Sequence, residues 1–299
     1  MNRPVKFCLL FLINLCAAYA GYSQDIEQKL QLSLSTGRQQ EDFNWSIAGN
    51  SNGQSPNILS ELKWKNVSGQ NYAAFAQWNL WRRVSIFADY NRTSVTSGSV
   101  SDMDYSKDNR MAPTYAETFS DNKGYTDGWS LGAGYVIFNN PLFSLVPYIG
   151  YGSSAQYLYI VDLTGQFPGL NSNYNAQWKG PLLRVTSSVK IIHALKFAAA
   201  ITYNQAKYSA LGDWNLINEF QHPLSYHHAA DGYGISASGK LIYNLTGNVA
   251  INIGCNYYNW QTGTGFDQLY LATGLVDKTQ LNGVFRKGYQ VDGGVVLSL

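Results

Sequence analysis

Tyr289-Gln290-Val291-Asp292-Gly293-Gly294-Val295-Val296-Leu297-Ser298-Leu299 decides the fold. Tyr289, Val291, Gly293, Val295, Leu297 and Leu299 fall on one face of an extended chain. Gln290, Asp292, Gly294 and Ser298 fall on the other, with Val296 as the exception. That is the two-residue period of a β-strand, in which successive side chains point to opposite faces. The same alternation runs back through the chain. Val249, Ile251, Ile253, Cys255 and Tyr257 oppose Ala250, Asn252, Gly254, Asn256 and Tyr258. Tyr233, Ile235, Ala237, Leu241, Tyr243 and Leu245 oppose Gly234, Ser236, Ser238, Lys240 and Asn244, with Ile242 out of pattern. Trp129, Leu131, Ala133, Tyr135 and Ile137 lie over Ser130, Gly132 and Gly134.

Several of these runs sustain alternation for nine residues or more, the ~9–11 needed to cross a bilayer at a tilt, whereas strands of soluble proteins run ~5–6. The less apolar face carries Gly, Ser, Asn and charge (Lys190, Lys196, Lys240, Asp292), which the core of a secreted sandwich does not tolerate. Only a closed ring of strands satisfies every backbone N–H and C=O in lipid. The reading is therefore all-β: a ten-stranded antiparallel transmembrane β-barrel of the outer-membrane type, apolar outside and polar within.

Composition agrees. The 299 residues are 45% hydrophobic but only 13% charged, with 22 Tyr, 8 Trp and 28 Gly. High aromatic and low charge content excludes disorder. Past residue 20, no apolar run approaches the ~18 residues of a spanning helix. Residues 1–20 read as a signal peptide: Arg3 and Lys6, an apolar run from Phe7 to Cys16, then Ala18-Tyr19-Ala20. Residues 21–299 then form one domain. Removing the leader takes the 21 basic residues to parity with the 19 acidic ones. No basic footprint for nucleic acid remains. Cys8 and Cys16 leave with the leader, so Cys255 has no partner for an internal disulfide.

The ten expected spans are 28–49, 58–80, 84–98, 113–138, 143–162, 173–192, 195–213, 226–245, 247–263 and 283–299. Short links at Trp81-Arg82-Arg83, Asn139-Asn140-Pro141-Leu142, His193-Ala194 and Thr246 alternate with long polar ones near 50–57, 99–112, 163–172, 214–225 and 264–282. This is the asymmetry of periplasmic turns and outer loops, and an even count puts both ends in the periplasm. Within the first span, Thr36-Gly37-Arg38-Gln39-Gln40 reads as a bulge or a turn. Ten strands enclose a narrow lumen that side chains largely fill. Glu61, Lys63, Asp89, Arg184, Lys190, Lys196, Lys240 and Asp292 are expected to pair inside it.

With the lumen filled, function belongs to the outer loops and mouth. Ser60-Glu61-Leu62-Lys63-Trp64-Lys65, Asp102-Met103-Asp104-Tyr105, the Arg110, Pro113, Thr114 series, Pro147-Tyr148-Ile149-Gly150-Tyr151, Tyr208-Ser209 and the terminal strand at Gly288-Tyr289 together resemble the omptin family of outer-membrane endopeptidases. The likeness is distant and spans most of the mature chain. It implies a bacterial outer-membrane location, a peptide or protein substrate and lipopolysaccharide among the lipid partners. It also implies water activated between an Asp pair (Asp102 and Asp104) and a histidine, whose counterpart here is His222. Phe220 stands where the family has the Asp that orients that histidine, and Met111-Ala112 interrupts its Arg-His-Pro stretch. The chemistry is reasonable in itself. Two carboxyls two residues apart on a strand share a face, one then gains a raised pKa, and an imidazole opposite takes a proton from water.

Neither a cofactor nor a metal is implied. His227 and His228, adjacent and so on opposite faces, read as exposed loop histidines. No His-Glu-x-x-His run, phosphate loop or Gly-x-Ser-x-Gly elbow occurs, and Asp102, Asp104 and Asp108 lack the framework of a calcium loop. Three functions stay open: a surface endopeptidase, a non-catalytic barrel binding a partner through its outer loops, and a small channel.

Overall fold

A computed structural model describes residues 30–299 apart from Arg82, so the leader expected over 1–20 lies outside the described residues. The strands are β1 (Leu30–Ile47), β2 (Ser60–Trp81), β3 (Val84–Lys107), β4 (Met111–Ser120), β5 (Tyr125–Tyr135), β6 (Phe138–Asn139), β7 (Phe143–Val161), β8 (Asn171–Lys190), β9 (Leu195–Asp213), β10 (Tyr226–Asn244), β11 (Val249–Tyr270) and β12 (Val276–Ser298). All pairings are antiparallel, and β1 bonds to both β2 and β12, which closes the sheet into a ring. At the seam, Leu30 N donates to Leu299 O at 3.0 Å and Leu299 N to Leu30 O at 2.8 Å. The run around Gly37 is neither bulge nor turn. It continues β1, and Gly37 lets β12 approach so closely that a Cβ there would meet Val291 O at 1.9 Å.

Among the described residues, twelve strands replace the expected ten because the span expected over 113–138 is divided. β4 covers the outer part of β3 and β5 the inner part. Between them Asp121-Asn122-Lys123-Gly124 leaves the ladder, with Gly124 at φ +97°. Asp121 N bonds to Gly98 O and Gly124 O accepts from Val95 N, so β3 itself is continuous across the gap. The two-residue β6 adds the remaining piece.

Two expected loops are also mostly strand. Residues 99–107 extend β3, and 264–270 with 276–282 extend β11 and β12 as a paired hairpin. Glycine and polar residues there suggested loops, but each segment finds a full partner strand above the level where lipid would end.

The outer surface of the ring has an apolar band edged by rings. Tyr72, Tyr90, Trp129, Tyr151, Tyr203, Tyr233, Tyr257 and Tyr289 mark one rim, all of them exposed. Tyr257 faces Tyr289 and Tyr90 faces Trp129 across their ladders. Trp78, Tyr135 and Tyr243 lie toward the short-turn end. Ten residues separate Tyr233 from Tyr243 on β10, about 33 Å along a strand and about 25 Å in height at the tilt of such rings. β3 continues from Tyr90 to Lys107, so much of the ring stands above this band.

Inside, the level decides the contents. Above the rim, Phe43, Trp45, Leu62, Trp64, Tyr174, Trp178, Tyr208 and Tyr226 pack into an apolar and aromatic core. Near the rim, Glu41 accepts hydrogen bonds from Arg286 (2.8 and 3.0 Å), Tyr258 (2.6 Å), Gln39 (3.1 Å) and Gln156 (2.7 Å). Gln39 also reaches Thr126 and Thr93 on the opposite wall. Side chains of β1 therefore meet those of β3, β5, β7 and β12 across the lumen. Beneath this layer is a polar vestibule of about 780 Å³ on the short-turn side.

The expected ion pairs form in part. Arg184 binds Asp89 at 2.7 Å and Lys240 approaches Asp292 at 3.8 Å inside the ring. Glu61 and Lys63 do pair, at 2.6 Å, but on the outward face: β2 alternates, and its neighbours Leu62 and Trp64 are the residues in the core. Lys190 and Lys196 form no ion pair among the described residues.

Candidate functional site

Asp102 and Asp104 sit on β3, on strand rather than in the loop expected there, and above the apolar band. Asp102 lies opposite Leu62 of β2 and Glu117 of β4, and Asp104 opposite Ser60 and Tyr115. Cross-strand partners share a face, so Asp102 turns inward with the core residue Leu62. It is only 9% exposed. Burial first, and the neighbouring Asp104 charge second, push its pKa up to about 7. Burial also raises Asp104, against which the Ser60 hydroxyl donates a hydrogen bond to its carboxylate. The two carboxyls are thus brought together, as the alternation requires.

The turn beyond them is pinned from outside. Arg110, in the left-handed region at φ 61°, donates to both oxygens of Glu61, from Nη2 at 2.7 Å and Nε at 3.1 Å. Burial alone would raise the Glu61 pKa, but the hydrogen bonds from Arg110 and Lys63 outweigh it and hold it low.

His222 lies in the connection from β9 to β10, about a third exposed. Its Nδ1 meets Asp213 Oδ1 at 2.6 Å and its Nε2 meets the Ile217 carbonyl at 3.1 Å. The Asp213 hydrogen bond raises its pKa, with smaller help from Ile217. With an acceptor against each nitrogen, His222 is suited to the imidazolium form. No hydrogen bond or ion pair joins His222 to Asp102 or Asp104 among the described residues. Phe220 forms a bridge with Leu271 instead of orienting the imidazole. Asp213, nine residues earlier in sequence, supplies the carboxylate.

Another histidine reaches the interior. His227 and His228 do take opposite faces, but both stand on β10, and His228 is buried rather than in an exposed loop. Its Nε2 is 3.0 Å from Asp267 on β11 and its Nδ1 is 2.8 Å from the Tyr174 hydroxyl. Tyr174 in turn bonds to the Tyr208 hydroxyl at 2.6 Å, and Thr279 donates to the other Asp267 oxygen at 2.9 Å. The imidazole meets the edge of Trp45 at 4.8 Å. Tyr226 closes the group: its ring is 5.0 Å from that of His228, its hydroxyl is buried with no hydrogen-bond partner among the described residues, and it lies in the fields of Asp102, Asp267 and Asp213. Burial first, and then those carboxylates, raise its pKa well above the ordinary phenol range.

Asp267 was hidden in sequence by Gly263-Thr264-Gly265, which looks like loop; the inward alternation of Asp267 and Leu269 was the available signal. Among the described residues, no group of three or more acidic, histidine or cysteine side chains is arranged to hold a metal ion.

The arrangement places Asp102 in the field of Asp104 and holds an imidazole against Asp213. It can also keep a second imidazole fixed in a buried Asp–His–Tyr chain. Neither imidazole presents an unoccupied nitrogen to the Asp pair.

Among solved structures, the outer membrane protease OmpT of Escherichia coli aligns over 93% of this chain and all of its own, with a TM-score of 0.73 at 14% identity. At that identity the likeness is one of fold: a ring of antiparallel strands resembling outer-membrane barrels. The translocator domain of the autotransporter NalP from Neisseria meningitidis covers 98% of this chain and 96% of its own at 10% identity, with a TM-score of 0.40. The attachment invasion locus protein Ail of Yersinia pestis covers 89% and 98% at 8% identity, with a TM-score of 0.30. No curated protein sequence matches the chain. The model of the family described as Pom, Protochlamydia outer membrane protein, matches residues 33–297. The chain therefore belongs to the Pom family of outer membrane proteins, and its place is the bacterial outer membrane.

Proposed function

We propose that this protein is a non-catalytic surface receptor, binding an extracellular protein through the tips of its outer connections. The observation that carries the reading is the aliphatic character of those tips. Met111 beside the β3–β4 turn, Leu163 between β7 and β8, Leu216 between β9 and β10, and Leu275 between β11 and β12 are 54%, 60%, 42% and 66% exposed. Single exposed apolar residues are ordinary, but these four stand at one end of the ring. The β9–β10 and β11–β12 connections also touch there, with Ala272 N bonded to Glu219 O at 2.9 Å. The crossing layer around Glu41 argues against free diffusion through the ring.

The experiment uses the full chain folded in detergent micelles and immobilised, probed with an array of extracellular proteins. Binding by the wild type that is lost on replacing Met111, Leu163, Leu216 and Leu275 by Ser supports the receptor reading. Equal binding by that variant, or none by the wild type above empty micelles, overturns it.

A second reading, a surface endopeptidase using water activated at Asp102 and Asp104, is favoured by two observations. Asp213 restores a carboxylate partner to His222, and Asp102 has a pKa near 7. It requires the His222 loop to release Nε2 from Ile217. Cleavage of a quenched peptide library by wild type, lost in Asp104→Ala, would displace the receptor reading. Absence of turnover would dismiss the enzyme.

A further inference from the structure

Lys190 at the end of β8 and Lys196 at the start of β9 are direct partners in the ladder, facing each other across the strand pair. Both line the polar vestibule on the short-turn side. Like charges directly opposite destabilise a sheet, and a lumen wall screens them less than open water does. Lys240 on β10 lines the same cavity, diagonal to Lys196, whose direct partner on that strand is Ile242.

The acids of the vestibule do not resolve the conflict. Asp89 is held by Arg184 at 2.7 Å and Ser130 at 2.6 Å. Asp292 is held by Gln290 at 2.9 Å and faces Lys240 at 3.8 Å. Lys190 and Lys196 make no ion pair among the described residues. Around them the wall offers hydroxyls and amides: Ser144 and Ser188, bonded to each other at 2.7 Å, with Thr186 and Asn244. A volume of about 780 Å³ is that of a small-molecule site. The Glu41–Arg286 layer makes it a blind pocket rather than a passage.

We propose that this vestibule binds a small soluble anion bearing phosphate or carboxylate groups, which enters from the short-turn end and bridges Lys190 and Lys196. The anion supplies the negative charge that the ladder lacks at that pair. Hydroxyl and amide groups of the wall supply its remaining hydrogen bonds. The inference is independent of the receptor reading, which concerns the opposite end of the ring.

The test uses the full chain folded in micelles at low ionic strength, with pyrophosphate and citrate as probes and thermal midpoint and calorimetric affinity as readouts. The wild type is expected to gain several degrees with saturating probe. Lys196→Gln and Lys190→Gln are each expected to start from a higher midpoint in anion-poor buffer, because the repulsion is gone. Each should lose most of the probe-dependent gain and bind at least tenfold more weakly. Lys278→Gln, on the exposed outer hairpin, should behave as wild type. A response to pyrophosphate alone assigns the site to phosphoryl groups, and an equal response to citrate assigns it to polyanions generally. A wild type without a saturable gain overturns the proposal. So does a gain retained in both vestibule variants, or one lost equally in Lys278→Gln.

Discussion

The carboxylate of Asp213 and the Nδ1 of His222 lie 2.6 Å apart, across a connection whose sequence has Phe220, not an acid, two residues before the histidine. This bond is the main cause of the raised His222 pKa. Asp213→Asn should therefore lower it, which a proton-detected titration of the imidazole reads directly. The folded pKa lies above the unfolded value of about 6.5. The contribution to stability is thus full below that value and disappears as pH rises through the folded pKa. The midpoints of wild type and Asp213→Asn should differ in acid and converge in alkali; a pH-independent difference would show that the bond matters only for packing.

Asp102 carries a linkage of the same sign, in a lower pH window. Its folded pKa, about 7, exceeds the ordinary carboxyl value of 3.8. Between these values the folded chain holds a proton that the unfolded chain releases, so its contribution weakens from about pH 4 to 7 and is flat above. One such group tilts the stability curve by at most about 1.4 kcal/mol per pH unit. Asp102→Asn should flatten the curve in that window and leave the protein more stable than wild type at pH 8. Urea midpoints across pH 4–8 check this, and an unchanged slope would contradict the burial of that carboxyl.

Arg286 and Glu41 form a buried pair whose side chains are 5% and 0% exposed. Arg286→Ala strands the Glu41 charge among Gln39, Gln156 and Tyr258. The expected loss is about 3–5 kcal/mol, the usual cost of orphaning one member of a buried pair. Glu41→Gln combined with Arg286→Met should recover a large part of it. Chemical unfolding in micelles distinguishes the two; equal losses would mean that packing rather than charge dominates the layer.

The same layer predicts electrical silence. Wild-type protein in planar bilayers should show no stepwise conductance, because bonds from Glu41 and Gln39 span the lumen. Discrete steps from pure protein would demand a passage around these side chains.

Alternation made the ring legible, since a strand exposed to lipid on one side and to a polar lumen on the other writes both environments into successive residues. The split of the 113–138 span was not legible. At the break Gly124 packs so closely that a Cβ would meet Tyr157 O at 2.1 Å, a long-range approach that no local pattern records. At the mouth, Asp102 and Asp104 were visible through the resemblance of Asp102-Met103-Asp104-Tyr105 to an omptin motif, although the strand that carries them was read as loop. His228 with Asp267, and Asp213 with His222, were not, because each pair is assembled by register or by a loop returning on itself. Glu41 could have been suspected: it interrupts the face that also carries Phe43 and Trp45.

The seam between Leu30 and Leu299 has a consequence for biogenesis. Until β12 docks on β1, the nascent sheet carries two raw edges, each with a row of unsatisfied amides and carbonyls ready to capture a neighbouring chain. The pairing that removes them joins residues far apart in sequence, Leu30 and Leu299, the slowest kind of contact to find. Escort across the aqueous compartment, and a catalyst that guards the open edges during insertion, are what such a late-closing cylinder demands.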